Sequence, residues 1–227
     1  MSSAYSVMQR PIHARQKAPS PTVFVVDDDI SVRESLESLI QHEGIDVKTF
    51  VSAASFLEHP SSARPTCLLL DVSMPGLTGL ELQKSLIVDR PAMPIIFVTG
   101  REDARTVVQA MKAGAIEFLT KPFDDEALLM AVRGAIERSV SLLRKEHRKA
   151  EINSRYNALT RREREVYVLI VEGLLNREIG HELGISEITV KAHRGQVMRK
   201  MEAESFAELV RLAGEAERPD SHGLATL

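Results

Sequence analysis

Short apolar runs alternate with amphipathic stretches over the first 140 residues of the chain. The apolar runs cover 22–26, 45–50, 66–70, 94–98 and 116–119, and their lengths are typical of buried strands. The stretches between them place apolar residues at helical spacing, at 31–43, 53–58, 79–89 and 103–113, with another from 124. Strands that alternate with helices predict an α/β fold, a doubly wound five-stranded parallel sheet covered on both faces.

From Thr160 onward the pattern is helical only. Helices are predicted from Thr160 to a stop at Gly173, and then at 176–183, 186–201 and 205–214. Thr160-x-x-Glu163 is a capping box, as is Ser31-x-x-Glu34 in the first half. Two helices joined by a short turn that contains Gly184 are the signature of a helix-turn-helix. The pattern predicts an all-α, four-helix domain.

Between the two halves, apolar residues keep helical spacing as far as Leu143, and a charged run from Arg144 follows. The fifth helix either continues through this run to about 150 or ends near 140 before a flexible linker. The predicted organisation is a disordered lead-in at 1–21, an α/β domain at 22–140, a helical linker at 141–157, a helical domain at 158–214 and a disordered tail at 215–227.

Composition narrows the class of protein. The chain of 227 residues has 44% hydrophobic and 27% charged residues, which indicates a soluble globular protein. Its single Cys67 fits a reducing compartment, and the first twenty residues lack the apolar core of a secretory signal. No run approaches the length of a membrane helix. These features predict a cytoplasmic protein. The net charge is −3 overall but +3 over 141–214, so nucleic acid is the candidate partner of the second half.

Polar residues follow four of the apolar runs. They are the triplet Asp27-Asp28-Asp29, and then Asp71, Thr99 and Lys121. The carboxyl ends of parallel strands meet at one edge of a sheet, where ligands bind. Asp71 is the candidate nucleophile, exposed on a loop, and Asp27 and Asp28 offer the hard oxygen ligands that Mg²⁺ prefers. Thr99 and Lys121 offer a hydroxyl and a positive charge to phosphoryl oxygens. Taken singly, each group also fits a turn or a surface residue, whereas their joint occurrence predicts phosphoryl chemistry with Mg²⁺ as cofactor.

These residues lie in motifs that closely resemble the receiver domain of bacterial response regulators over about 22–140. The motifs are Val26-Asp27-Asp28-Asp29, Asp71-Val72-Ser73-Met74-Pro75-Gly76-Leu77-Thr78-Gly79, Val98-Thr99-Gly100 and Leu119-Thr120-Lys121-Pro122-Phe123. The resemblance implies a flavodoxin-like fold in which Asp71 accepts phosphate from a sensor histidine kinase.

The same resemblance implies roles for the neighbouring residues. Asp28 and Asp71 would hold Mg²⁺ directly, Asp27 through water, and the Ser73 backbone carbonyl would be a further ligand. Thr99 and Lys121 would bind the phosphoryl group. Phe118 matches the aromatic switch position that follows Thr99, although plain core packing explains this residue equally well.

The helix after Ser186 has two different faces. Val190, Val197 and Met201 form an apolar stripe that is expected to face the core, with His193 beside it as a packed histidine. The opposite face carries residues suited to the major groove, with Ser186 and Thr189 near the helix start as phosphate donors. The candidate DNA-binding residues are Ser186, Thr189, Lys191, Ala192, Arg194, Gly195 and Arg199. A solvated basic face is the simpler alternative.

The segments Leu159-Thr160-x-Arg162-Glu163-Arg164-Glu165-Val166, Gly173-Leu174-x-Asn176-x-Glu178-Ile179 and Leu183-Gly184-Ile185-Ser186-x-x-Thr189-Val190-Lys191-x-His193 strongly resemble the LuxR-type DNA-binding domain. With the receiver, the whole chain resembles a NarL/FixJ-type response regulator. Two residues depart from that pattern. Arg161 stands where proline is frequent, and Gly195 replaces a larger side chain on the reading face, so the target sequence does not transfer from relatives.

The resemblance implies a transcriptional regulator, not an enzyme, that dimerises on phosphorylation. The implied partners are a sensor histidine kinase, promoter DNA, RNA polymerase and a second copy of the chain. Two alternatives stay open. One is a Mg²⁺-dependent phosphatase with Asp71 as nucleophile, although Ser73 occupies the place of its usual second acid. The other is a constitutive DNA-binding protein whose receiver only supports dimers.

Overall fold

The computed structural model describes residues 20–100 and 104–216. All but residues 20–21 and 215–216 of the predicted lead-in and tail lie outside this part. The chain divides after Val140 into two compact units. The elements of the first are β1 Thr22–Val26, α1 Ile30–His42, β2 Asp46–Phe50, α2 Ala53–Leu57, β3 Thr66–Leu70, α3 Gly79–Asp89, β4 Ile95–Thr99, α4 Ala104–Lys112 and β5 Glu117–Thr120. The helix α5, Asp125–Asn157, continues past this division.

The first unit contains the predicted five-stranded parallel sheet. Its strand order is β2-β1-β3-β4-β5, and every neighbouring pair is parallel. The strands β1, β3 and β4 are buried along their whole length, as their continuous apolar runs require. Alternate side chains of β1 enter different cores. Phe24 and Val26 belong to one apolar cluster, and Val23 and Val25 belong to another. The doubly wound α/β prediction is confirmed.

One of the two predicted capping boxes is present. Thr160 and Glu163 cap each other's backbone N–H groups, at 3.3 and 2.7 Å. The prediction of a capping box at Ser31 is wrong, because α1 begins at Ile30 and its cap is Asp29. The Asp29 carboxylate accepts the Ser31 N–H at 2.8 Å and therefore takes the place that the Ser31 hydroxyl was expected to fill.

The second unit consists of the last part of α5 and four further helices. These are α6 Arg161–Val171, α7 Asn176–Leu183, α8 Glu187–Met201 and α9 Phe206–Glu215. Their core includes the buried side chains of Val166, Ile179, Val197 and Leu209. Among the described helices, none is long and apolar enough to cross a membrane.

Candidate phosphoacceptor site and nucleic-acid interface

The predicted acidic site lies at the carboxyl ends of the three central strands, β1, β3 and β4, and of β5. Asp27 follows β1, Asp71 follows β3, Thr99 ends β4, and Lys121 follows β5. Backbone hydrogen bonds extend the sheet into these loops. Asp71 N–H donates to the Val26 carbonyl at 2.9 Å, and Lys121 N–H donates to the Thr99 carbonyl at 2.8 Å. The side chains therefore start from fixed points along one edge.

One ammonium group lies between two buried carboxylates. Lys121 Nζ is 2.6 Å from Asp27 Oδ2 and 3.8 Å from Asp71 Oδ1. The side chains of Asp27 and Asp71 are only 3% and 8% exposed. The expectation that Asp71 is exposed on a loop is wrong, because its backbone continues the pairing of β3 with β1. Two buried anions that share one cation leave negative charge at the site.

The surroundings of Asp71 act on its pKa in both directions, and the net shift is upward. Burial raises the pKa of this carboxyl most, and the nearby charges of Asp27 and Asp28 raise it further. The Lys121 ammonium and the Ser73 N–H, which donates to Asp71 Oδ2 at 3.1 Å, lower the pKa. The ionised form of Asp71 is thus destabilised, and any additional cation at this edge would relieve it.

The donor chemistry of the edge fits Mg²⁺. Asp27 and Asp71 are carboxylates, their shared lysine neutralises only one of them, and hard oxygens are the ligands that this ion prefers. Asp28 is exposed and supplies a further carboxylate. In the part of the chain that the structure describes, no three acidic, histidine or cysteine side chains converge on one point as metal ligands. The Lys121 ammonium instead contacts the two innermost carboxylates.

The remaining predicted receiver residues lie on β4 and β5. Thr99 is buried, and its strand position is opposite Thr120. Phe118 is half-buried, its ring centroid is 6.2 Å from that of Phe97, and it packs against the core. The Lys121–Pro122 peptide bond is cis.

Gly79, the first residue of α3, is a functional position that was not predicted from the sequence. A Cβ atom at this position would lie 2.3 Å from the Asp71 carbonyl oxygen and 3.1 Å from a ring carbon of Phe97. Gly79 N–H also donates to the Val72 carbonyl at 3.1 Å. The absence of a side chain therefore lets α3 approach the backbone of Asp71. The sequence held one signal, a glycine directly after the helix-capping Thr78, where glycine has no intrinsic advantage.

The turn of the helix-turn-helix also depends on close backbone approach. Gly184 ends α7 with a φ of +64°, a conformation that favours glycine. Ile185 N–H donates to the Gly180 carbonyl at 2.9 Å, and a Cβ atom on Gly180 would lie 2.8 Å from the Ile185 carbonyl oxygen. Arg162 of α6 donates to the Leu183 carbonyl at 2.6 Å. Together these contacts fix the angle at which α8 leaves the turn.

The helix α8 begins at the predicted cap and has the two predicted faces. The Ser186 hydroxyl accepts the Thr189 N–H at 3.1 Å. Val190, Val197 and Met201 are fully buried. The exposed face comprises Ile188, Lys191, Ala192, Gly195 and Arg199, whereas His193 and Arg194 are half-buried. Lys191 forms an exposed ion pair with Glu187 at 3.2 Å, and Arg199 contacts Gln196.

A partly buried ion pair joins this helix to α6. Lys200 Nζ lies 2.7 Å from Glu163 Oε2, and the Glu163 side chain is 7% exposed. The same carboxylate caps α6 through Thr160 N–H. The hydrogen bond from Lys200 contributes most to lowering the pKa of Glu163 below its ordinary value. The cap was predictable from local spacing, whereas the lysine lies 37 residues away along the chain.

Two buried carboxylates with a lysine at the carboxyl edge of a doubly wound sheet, followed by a helix-turn-helix with a basic exposed face, are typical of a response regulator that binds DNA. Comparison with known proteins agrees. Residues 23–133 match the family model "Response regulator receiver domain", and residues 157–213 match "Bacterial regulatory proteins, luxR family". The chain belongs to the response regulators that join a receiver to a LuxR-type DNA-binding domain.

Similar proteins cover most of the chain. Nodulation protein W of Bradyrhizobium diazoefficiens is 44% identical over 191 residues, which is 84% of each protein. The transcriptional regulatory protein FixJ of Azorhizobium caulinodans is 45% identical over 84% of this chain and 90% of its own length. Among solved structures, the response regulator StyR superposes with a TM-score of 0.75 at 44% identity, covering 86% of this chain and 99% of its own.

Proposed function

We propose that Asp71 accepts a phosphoryl group from a sensor histidine kinase and that its occupancy controls DNA binding by α8. The observation that carries the proposal is the pair of buried carboxylates, Asp27 and Asp71, with Lys121 Nζ between them at the carboxyl edge of the sheet. An Asp71 carboxylate oxygen attacks the phosphorus of phosphohistidine. The new O–P bond forms as the P–N bond breaks, and the leaving imidazole nitrogen takes a proton.

The residues around Asp71 position and neutralise the transferred group. Lys121, which is 3.8 Å from Asp71 Oδ1, is close enough to pair with a phosphoryl oxygen. Thr99, one strand further along the edge, supplies the hydroxyl for another oxygen and couples it to Phe118 as the switch. Asp27, Asp28, Asp71 and the Ser73 carbonyl would hold Mg²⁺. Held by these residues, the ion would supply positive charge to the phosphoryl oxygens.

The output proposed for this chemistry is assembly on promoter DNA. Phosphorylation favours a homodimer, and two linked helix-turn-helix units then bind adjacent half-sites with a raised effective concentration. Ser186, Thr189 and the cationic residues of α8 contact phosphates or guanines, and Ala192 and Gly195 lie against the bases. RNA polymerase is the expected next partner of the assembled dimer.

The test follows acyl phosphate, dimer and DNA complex in the same samples. Wild type, Asp71→Asn and Asp89→Asn are treated with acetyl phosphate and Mg²⁺. Asp89 is a suitable control because it is an exposed carboxylate at the end of α3. We expect a hydroxylamine-sensitive phosphoprotein, a shift to dimer in sedimentation and tighter DNA binding for wild type and Asp89→Asn only. Dimer formation by treated Asp71→Asn would contradict the mechanism. Equal DNA affinity of untreated and treated wild type would favour the constitutive alternative.

A further inference from the structure

An apolar side chain stands on the DNA-facing side of α8. Ile188, in the first turn of this helix, is 80% exposed, more than any other described large apolar side chain. It contributes nothing to the core that Val190 and Val197 build on the opposite side. A single exposed apolar residue is ordinary on a protein surface, so the significance of Ile188 depends on where it lies on the helix and not on its exposure alone.

The position of Ile188 on the helix indicates which kind of partner it contacts. Ile188, Ala192, Gly195 and Arg199 are spaced by four, three and four residues, so they lie along one line on the helix. All four are exposed. The line is apolar at its first two positions and cationic at its last. Gly195 adds no side chain, and a Cβ atom there would meet open space. The first half of the line therefore presents only hydrocarbon.

The major groove offers one apolar group, the C5-methyl of thymine. The N-terminal residues of a recognition helix are those that reach the base edges. We infer that Ile188 is a specificity-determining residue that contacts a thymine methyl in each half-site of the target DNA, with Ala192 extending the same apolar surface. The inference rests on the proposed DNA-binding function of α8 and adds a base preference to it.

The test removes the methyl group from the DNA and the side chain from the protein. Full-length phosphorylated protein first selects its site from a random duplex library. Each thymine of the selected site is then replaced singly by deoxyuridine, which lacks only the C5-methyl. One methyl group is worth about 0.8 kcal/mol, so a replacement in one half-site should weaken wild-type binding about fourfold, and the matching replacement in both half-sites about fifteenfold. Ile188→Ala should weaken binding to the thymine site by a similar factor and be insensitive to that replacement.

The matched control is Val88→Ala, since Val88 is 79% exposed on α3, a helix of the first unit. Val88→Ala should keep wild-type affinity and the full sensitivity to deoxyuridine. Equal sensitivity of wild type and Ile188→Ala at every position would overturn the inference while leaving the proposed function intact. A change in the sedimentation of Ile188→Ala without DNA would also overturn the inference, since Ile188 would then be a protein contact. Failure of wild type to enrich any sequence would overturn the proposed function, and the inference with it.

Discussion

Replacing Gly79 by alanine should damage both the stability and the chemistry of the receiver. The added Cβ would lie 2.3 Å from the Asp71 carbonyl oxygen, well inside the contact distance of two such atoms. Neither the Asp71 backbone nor the Gly79 backbone can move without losing a hydrogen bond. The Asp71 backbone is paired to Val26 at 2.9 Å, and Gly79 N–H is bonded to Val72 at 3.1 Å. The substitution must therefore displace α3 or the loop that begins at Asp71.

The magnitude follows from two opposing effects. Overpacking a well-packed region costs about 1–3 kcal/mol. Alanine is favoured over glycine in a helix interior by up to ~1 kcal/mol, but Gly79 is the first helical residue and receives only part of that gain. Overpacking should therefore dominate. Gly134→Ala supplies the control, because Gly134 is exposed inside α5 and a Cβ atom there meets nothing within 4 Å. Gly134→Ala should raise the free energy of unfolding by about 0.5–1 kcal/mol.

The assay is native-state hydrogen exchange of the buried amides of β1 and β3, which reports the receiver separately from the second unit. Exchange in Gly79→Ala should be roughly 5- to 150-fold faster than in wild type, which corresponds to the 1–3 kcal/mol above. Exchange in Gly134→Ala should be slower. Phosphorylation by acetyl phosphate should also slow in Gly79→Ala only. Unchanged exchange and unchanged phosphorylation in Gly79→Ala would refute the argument from close approach.

Three further substitutions or treatments test the charged and buried groups. The folded-state pKa of Asp71 is raised, so its ionised form costs stability above the ordinary aspartate pKa. Asp71→Asn should therefore stabilise the metal-free protein at pH 7, and the gain should vanish as the pH falls below ~4 in urea titrations. Glu163→Gln should lower the free energy of unfolding of the second unit by about 1–3 kcal/mol, because it removes the charged partner of Lys200. The control Glu165→Gln loses only surface ion pairs and should lower it by less than ~1 kcal/mol. Because the pKa of Glu163 is depressed, the stabilisation by its ionised carboxylate should be lost as the pH falls through the pKa of the folded state. If the difference in stability between wild type and Glu163→Gln did not change with pH, the ion pair would be excluded as its cause. Burial raises the pKa of the Cys67 thiol to about 12, so iodoacetamide at pH 8 should label it only after unfolding; rapid labelling of the folded chain would show that the thiol is accessible.

The elements that sequence predicted well are those with local causes. The strands β1, β3 and β4 are buried on both faces, so each is a continuous apolar run, and their bounds agree with the prediction to within one residue. The two faces of α8 follow from helical spacing alone. By contrast, the cap of α1 depended on which of two neighbouring polar side chains reaches the Ser31 N–H, and spacing does not decide that.

Contacts between distant parts of the chain were beyond sequence reasoning. The α/β topology implied that Asp71, Thr99 and Lys121 share an edge, but not that Asp71 is buried or that Lys121 pairs more closely with Asp27. These features depend on loop paths beyond the strand ends. The Glu163–Lys200 pair has the same origin, since its partners are brought together by the packing of α6 on α8.

The last turns of α5 show the same limit and change the outline of the DNA-binding unit. A charged run made 141–157 resemble a linker, but Ile152, which follows that run, is fully buried in the second core. The ring of Tyr156 contacts that of Tyr167 at 5.2 Å, and Arg148 pairs with Glu215 of α9 at 3.0 Å. The helical spacing of Ile152, Tyr156 and Leu159 was the signal in the sequence, whereas the partners that bury these residues lie further along the chain. A DNA-binding domain bounded at 158 would lack part of its own core, so the end of α5 belongs to the unit that holds α8.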